Sequence, residues 1–96
     1  MMHLTSAALK DLAKLDKPAA TKAKEALKHL SSNPKAGHTL EGSLKGALAV
    51  VFKVMRTDYR ITYTIDRGDI IVFAIGSHEN FYKLAARRSK QIKDKQ

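Results

Sequence analysis

The first third of the chain carries apolar residues at helical spacing, interrupted by one break. Thr5 or Ser6 can cap a first helix, because a hydroxyl oxygen there accepts a hydrogen bond from a free amide of the first turn. After the break, Pro18 suits the first turn of a second helix, and Pro34 ends it because proline disfavours helix in the residue before it. The two apolar stripes are Leu9, Leu12, Ala13 and Leu15, then Ala20, Ala23, Leu27 and Leu30. The pattern predicts two short helices packed as a hairpin.

After a glycine-containing loop over residues 35–46, the chain changes to the composition and alternation typical of β-strands. Arg67-Gly68 suits a two-residue hairpin turn, and Thr57-Asp58 is a less typical one. Residues 1–5 can add a short edge strand. The main strands are predicted over residues 48–56, 59–66 and 69–75.

The predicted turn at Thr57-Asp58 sets the pairing of the first two main strands. It places Val54 opposite Ile61, on a face that is apolar throughout and is therefore expected to lie under the helix pair. The other face then carries Lys53 opposite Thr62, with Arg60 close by. We expect these two cations to lie together on an open side of the sheet.

A final helix is predicted after Gly76, with Ser77 as its cap and Phe81 at the start of its apolar stripe. His78 and Tyr82 are four residues apart and would share a helix face, away from that stripe. The predicted fold is α+β, in one domain over residues 1–96. An N-terminal helix hairpin packs on a small, mainly antiparallel sheet of three to four strands, and a C-terminal helix follows.

The charge balance narrows the possible partners. Eighteen Lys and Arg against nine Asp and Glu give a net charge of +9, which attracts polyanions and speeds encounter with them. A basic surface without a specific partner, or an acidic protein partner, would fit the same charge. The chain has no cysteine, signal peptide or membrane-spanning run, so we expect a cytoplasmic location. It also has no carboxylate cluster or phosphate-loop motif, so neither a metal nor a cofactor is expected.

Four residues near the predicted open face form a candidate site for phosphodiester chemistry. Histidine at position 78 can move a proton near neutral pH, while Lys53 and Arg60 can hold a phosphate and stabilise developing charge. Tyr82 can stack on a base. Taken singly, the two cations are better explained as surface charges and the tyrosine as a packing residue. The histidine would serve equally well as a bridge between backbone groups. Physical chemistry alone therefore supports a nucleic-acid-binding α+β domain.

The segment from residue 40 to residue 82 resembles the RelE/ParE toxin superfamily. The resemblance rests on the loop LEGSLKG, the strand segment DYRITY and the segment IGSH before the last helix. It implies a RelE-like fold and a toxin of a type II toxin–antitoxin system, inhibited by a cognate antitoxin protein. Members of the RelE branch cleave messenger RNA, usually on the ribosome and without a metal, by attack of a ribose 2′-hydroxyl on the adjacent phosphate.

The resemblance also implies roles for individual residues. Arg60 matches the arginine that stabilises the phosphate, and Lys53 matches one of two strand lysines. His78 lies where related toxins have an arginine or a catalytic histidine, and Tyr82 matches an aromatic residue near the C-terminus. His38 resembles a loop histidine of YafQ-like toxins.

One departure from the RelE pattern concerns the second strand lysine, which is Val51 here. Arg56 is expected to supply its charge to the RNA. The surplus positive charge on the second and last helices is expected to contact ribosomal RNA, through Lys22, Lys24, Lys28, Arg87, Arg88 and Lys90.

The leading functional hypothesis is a ribosome-associated endoribonuclease toxin. The first alternative is a ParE-type poison of DNA gyrase, which shares the fold and does not need these residues. A second alternative is a nucleic-acid-binding protein or decayed toxin without catalysis.

Overall fold

The computed structural model describes residues 1–77 and 81–94, with side chains through residue 90. Within them the chain forms three α-helices, five strands and one 3₁₀ turn, in an α+β arrangement. The helices are α1 (Ser6–Lys14), α2 (Lys17–Ser32) and α3 (Phe81–Asp94). The strands are β1 (Met2–Leu4), β2 (His38–Thr39), β3 (Leu48–Val54), β4 (Thr57–Asp66) and β5 (Asp69–Gly76), and the 3₁₀ turn is Gly42–Leu44.

The sheet is mixed, with the strand order β1-β5-β4-β3-β2. The edge strand β1 runs parallel to β5, and the other neighbours are antiparallel. The predicted fold class is confirmed, but the strand count of three to four was too low. The edge strand predicted over residues 1–5 is present as β1. The strand that was not predicted is β2, an edge strand of only two residues within the predicted loop.

The predicted cap of α1 is present, and α2 has a cap that was not predicted. Thr5 Oγ1 accepts from the Ala8 amide at 3.1 Å, and the Asp16 carboxylate accepts from the Ala19 amide at the same distance. Helix α2 starts with proline in its first turn and ends at Ser32, just before Pro34. The expected Ser77 cap of α3 involves residues 78–80, which lie outside the described residues.

The buried stripe of α1 differs from the prediction at three positions. Leu9 is 54% exposed and Ala13 is also exposed, whereas Ala8 is fully buried. In α2 the buried positions are Ala19, Ala23, Leu27 and Leu30, so the stripe was right except for its first member.

The turn between β3 and β4 lies two residues earlier than predicted. Val54 pairs with Thr57, so the turn is Met55-Arg56, with Met55 in the left-handed region at φ +57°. A side chain rarely adopts this conformation, which costs about 1–2 kcal/mol. In return, Phe52 stacks on Tyr59 across the strands, with ring centroids 5.3 Å apart. The pairing shifts by an even number of residues, so the predicted faces of both strands are correct.

Both faces of the sheet are covered, and each covered face has its own core. Helices α1 and α2 cover one face; its buried residues are Ala8, Leu27, Leu30, Ile61, Tyr63, Ile70, Val72 and Ile75. Helix α3 and the 3₁₀ turn cover part of the other face, around Leu44, Ala47, Phe73, Ala74, Phe81 and Ala85. The expectation of an open second face is therefore wrong over that part of the sheet, where Thr62 is fully buried.

A β-bulge in β5 brings two consecutive residues into the second core. Thr62 pairs with Ala74, but the next residue, Tyr63, pairs with Val72. Phe73 is therefore the extra residue on β5, and it packs on the same side as Ala74. Strict alternation would have sent one of the two to the opposite face.

The buried Tyr63 joins the sheet to the loop after α2. Its hydroxyl donates to the Pro34 carbonyl at 2.8 Å and accepts from the Gly37 amide at 2.9 Å. A Cβ atom on Gly37 would lie 2.5 Å from the Tyr63 hydroxyl and 2.8 Å from the Ala49 carbonyl oxygen, so only glycine fits there.

Tyr63→Phe is expected to lower the free energy of unfolding by about 1–3 kcal/mol, because the partly buried Gly37 amide and Pro34 carbonyl lose their partner. Urea unfolding at neutral pH measures this, with Tyr59→Phe as the control. The Tyr59 hydroxyl makes no hydrogen bond within the described residues. Equal effects of both substitutions would contradict the prediction.

Burial also raises the pKa of Tyr63 above its ordinary value of 10.0. The folded state therefore favours the protonated phenol. Tyr63 makes its full contribution to the free energy of unfolding at pH values below 10.0, and this contribution declines as the pH rises above that value. The alkaline loss of stability should be shallower in Tyr63→Phe than in the wild type.

Candidate functional site

Arg60 lies at the centre of the sheet face that α3 partly covers. It pairs with Val51 on β3 and with Gly76 on β5, and directly paired residues present their side chains on the same face. We call the side that carries Val51, Arg60 and Gly76 the α3 face. Because glycine has no side chain, the end of β5 leaves space beside the guanidinium.

Tyr82 on the first turn of α3 lies against Arg60. The guanidinium carbon of Arg60 is 5.4 Å from the centroid of the Tyr82 ring, within the range of a cation–π contact. The neighbouring Phe81 is buried and meets the Tyr82 ring edge-on at 5.6 Å. It anchors the start of the helix, while Tyr82 stays 38% exposed. Two of the predicted catalytic residues, from distant parts of the sequence, are therefore in contact.

Lys53 lies on the same face, one row closer to the β3–β4 turn. It pairs with Asp58, where Thr62 was predicted, and its ammonium nitrogen is 3.6 Å from the Asp58 carboxylate. Both side chains are about half exposed, so the ion pair holds the lysine weakly. Lys53 is diagonal to Arg60, a separation of about 7–8 Å between such positions.

His78 lies outside the described residues, and its catalytic role stays a prediction. The described chain before it ends with Gly76, which pairs with Arg60, and Ser77. The chain therefore leaves β5 beside the guanidinium.

His38 and Arg56 mark the periphery of the α3 face. His38 in β2 pairs with Ala49, which in turn pairs with Thr62, so the register places the imidazole on this face at the sheet edge. Arg56 is exposed in the turn beyond Lys53. Arg60 itself pairs with Val51 and Gly76, so neither His38 nor Arg56 is its direct partner in the sheet.

The predicted RNA-contacting cations divide between two sides of the molecule. Arg87 and Lys90 are exposed on α3, near the candidate site. The α2 lysines are also exposed, but α2 packs on the opposite face of the sheet from Arg60. These lysines are Lys22, Lys24 and Lys28.

Arg88 has a different environment from the other cations of α3. Its guanidinium forms a two-pronged ion pair with Asp11 of α1, at 2.6 Å and 3.2 Å, and donates to the Phe73 carbonyl at 3.1 Å. Only 19% of its side chain is exposed. Because these contacts bind the guanidinium within the protein, we no longer propose that Arg88 binds RNA.

The comparisons with known proteins agree with this arrangement. Residues 2–85 match the family model described as "ParE-like toxin of type II bacterial toxin-antitoxin system". The chain belongs to this toxin family. No curated protein sequence matches the toxin significantly.

Solved structures of RelE and YoeB toxins share the fold of this toxin. The free Escherichia coli toxin RelE, as a double arginine-to-alanine mutant, superimposes with a TM-score of 0.75 at 20% identity over 96% of both chains. A RelBE toxin–antitoxin complex from Mycobacterium tuberculosis matches at 26% identity and a TM-score of 0.67, covering 81% of the toxin and 96% of that chain. The YoeB-YefM toxin-antitoxin complex from Staphylococcus aureus matches at 21% identity and a TM-score of 0.62, covering 81% and 95%.

A groove of 690 Å³ extends the candidate site of the toxin between the 3₁₀ turn and α3. Tyr82 lines the groove and also contacts Arg60, which links the groove to the candidate site. Leu40, Leu44 and Ala86 provide apolar walls, and Lys83 joins Arg87 at its rim. Sequence reasoning missed Lys83; its spacing of four residues from Arg87 was the available signal.

Two features are absent from the described part of the toxin. No three His, Cys, Asp or Glu side chains there are grouped as a metal site would need. No helix there is long and apolar enough to cross a membrane.

Proposed function

We propose that the toxin is an endoribonuclease that cleaves messenger RNA on the ribosome in the bacterial cytoplasm. The observation that carries the proposal is the contact of Arg60 with Tyr82 on a sheet face where β5 leads towards His78. A phosphate-binding cation and a stacking ring then lie side by side on a protein of net charge +9.

The reaction is a transfer of the phosphate within the RNA. The ribose 2′-hydroxyl attacks the adjacent phosphorus, the bond to the 5′-oxygen of the next nucleotide breaks, and a 2′,3′-cyclic phosphate forms. The 2′-hydroxyl loses a proton and the leaving 5′-oxygen gains one. His78 takes part in this proton transfer, and Arg60 stabilises the additional negative charge on the phosphate. Tyr82 stacks on a base beside the scissile bond, and Lys53 adds positive charge one row away.

The RNA on either side of the scissile bond follows the exposed cations of this half of the protein. Arg87 and Lys90 extend the positive charge along α3, and Arg56 and His38 extend it across the sheet. The α2 lysines lie on the opposite side and suit a second RNA segment, such as ribosomal RNA.

A cognate antitoxin protein is the second proposed partner. The similar structures from M. tuberculosis and S. aureus are toxin–antitoxin complexes. A net charge of +9 favours an antitoxin with an acidic toxin-binding segment.

A gyrase poison without nuclease activity is the alternative, because the matching family is described as ParE-like. We expect purified toxin to cut messenger RNA on translating ribosomes and to leave DNA supercoiling by gyrase unchanged. Primer extension on the RNA and a supercoiling assay, run with the same preparation, separate the two functions. Toxin mixed with its antitoxin is the control, and gyrase-dependent DNA breaks with intact messenger RNA would reverse the assignment.

A further inference from the structure

The outer edge of β5 changes its partner halfway along the strand. Strand β1 pairs with β5 from Ile70 to Val72, and the last backbone bond runs from the Thr5 amide to the Val72 carbonyl at 2.9 Å. The chain then turns into α1, so no described strand covers the outer edge of β5 over Phe73–Ile75.

Two side chains take the place of a strand along this edge. The Asp11 carboxylate accepts from the Ile75 amide at 3.0 Å, and Arg88 donates to the Phe73 carbonyl at 3.1 Å. The two side chains also bind each other through both carboxylate oxygens, and each is at least four-fifths buried. We call Asp11 and Arg88 the edge clamp. It joins α1, β5 and α3 at one point.

We propose that the edge clamp positions the cleavage site, an inference that rests on the proposed nuclease function. Ile75 immediately precedes Gly76, the residue paired with Arg60, so the clamp fixes the end of β5 from which the chain continues to His78. Arg88 lies less than two helical turns after Tyr82, so the clamp also fixes the part of α3 that holds the ring on Arg60. Asp11 and Arg88 are positioning residues: they act through the backbone and touch no RNA.

The packing of α3 alone restrains this geometry less well. Phe81 and Ala85 bury the helix against the sheet, but apolar contact is not directional and tolerates sliding along the surface. The two-pronged ion pair adds direction, because a planar guanidinium and a carboxylate fit in a restricted set of orientations.

The hydrogen bonds of the edge clamp to the backbone of β5 allow it to be distinguished from a simple ion pair. In the charge-swapped double variant Asp11→Arg/Arg88→Asp, the two side chains can still attract each other. An arginine at position 11 cannot accept from the Ile75 amide, and an aspartate at position 88 cannot donate to the Phe73 carbonyl. The swap should therefore fail to restore the geometry.

The test compares Arg88→Ala, Arg88→Lys and the swapped double variant with the wild-type toxin, with Lys10→Ala on α1 as the control. Three quantities are measured on folded protein: hydrogen exchange at the Ile75 amide, the ring resonances of Tyr82, and single-turnover cleavage of ribosome-bound messenger RNA over a range of substrate concentrations. We expect Arg88→Ala to expose the Ile75 amide, shift the Tyr82 resonances and lower the maximal rate about 10- to 100-fold, with little change in KM. Arg88→Lys should retain part of the rate, the swapped variant should behave like Arg88→Ala, and Lys10→Ala like the wild type.

The outcomes separate this inference from the proposed function. Unchanged Tyr82 resonances in Arg88→Ala, or wild-type behaviour of the swapped variant, would overturn the positioning role whether or not the toxin cleaves RNA. A wild-type toxin that cleaves no RNA would overturn the nuclease proposal and the catalytic part of the inference. The exchange and resonance measurements would still decide whether the clamp sets the geometry. If Arg88→Ala does not fold, Arg88→Lys carries the same three measurements.

Discussion

Arg60→Ala is expected to lower the rate of messenger RNA cleavage about 10²- to 10³-fold at saturating substrate, since removing a preorganised charge stabiliser has effects of this size. Arg60 belongs to neither of the two cores of the described residues. Its guanidinium contacts the Tyr82 ring, and Arg60 lies at the strand position paired with Gly76. The fold should therefore survive the substitution, and thermal unfolding should show a melting temperature close to that of the wild type. Single-turnover cleavage on programmed ribosomes measures the effect.

Arg67→Asn is a matched control for this variant. Arg67 is an exposed arginine in the turn between β4 and β5, at the opposite end of β4 from the β3–β4 turn, and asparagine tolerates its φ of +52°. It removes the same charge without touching the α3 face. Similar small losses from both substitutions would mean that Arg60 contributes only to the net charge.

His78→Ala is the substitution with the second large expected effect. Loss of a positioned proton-transfer group typically lowers a rate by about 10²–10⁴-fold. The variant should also relieve growth arrest when expressed without antitoxin. Primer extension on cellular messenger RNA measures the cleavage, and circular dichroism shows whether the variant is folded.

His29→Ala is the matched control for the histidine. It removes an exposed imidazole from α2, on the opposite side of the sheet from Arg60. Wild-type cleavage by a folded His78→Ala protein would remove His78 from the site, and Arg60 with Tyr82 would then need another proton-transfer group.

Several features of the fold could be predicted because neighbouring residues set them. The caps at Thr5 and Asp16 depend on a side chain and an amide three residues later. The turn at Arg67-Gly68 depends on two residues that accept positive φ. The face of each residue on β3 and β4 follows from alternation, which is why Arg60 and Lys53 were assigned to the correct side.

The candidate site was predicted partly from alternation and partly from the resemblance to RelE-like toxins. The resemblance singled out Arg60 and Tyr82, and the structure places the two side chains in contact. Their catalytic roles stay predictions. Asp11 was missed. The sequence did contain a signal for it. Asp11 lies three residues after Ala8 and four before Leu15, so an acidic residue falls on the buried side of α1.

Other features depend on residues that are far apart in the chain. The β3–β4 turn moved to Met55-Arg56, where the stacking of Phe52 on Tyr59 offsets an unfavourable local conformation. The bulge at Phe73 exists because the second core, under α3, takes two consecutive residues of β5. The ion pair of Arg88 with Asp11 joins residues 77 positions apart. Local sequence determines caps, turns and faces because their free energies arise within a few residues, whereas register, bulges and buried ion pairs are selected by packing between elements that meet only in the folded protein.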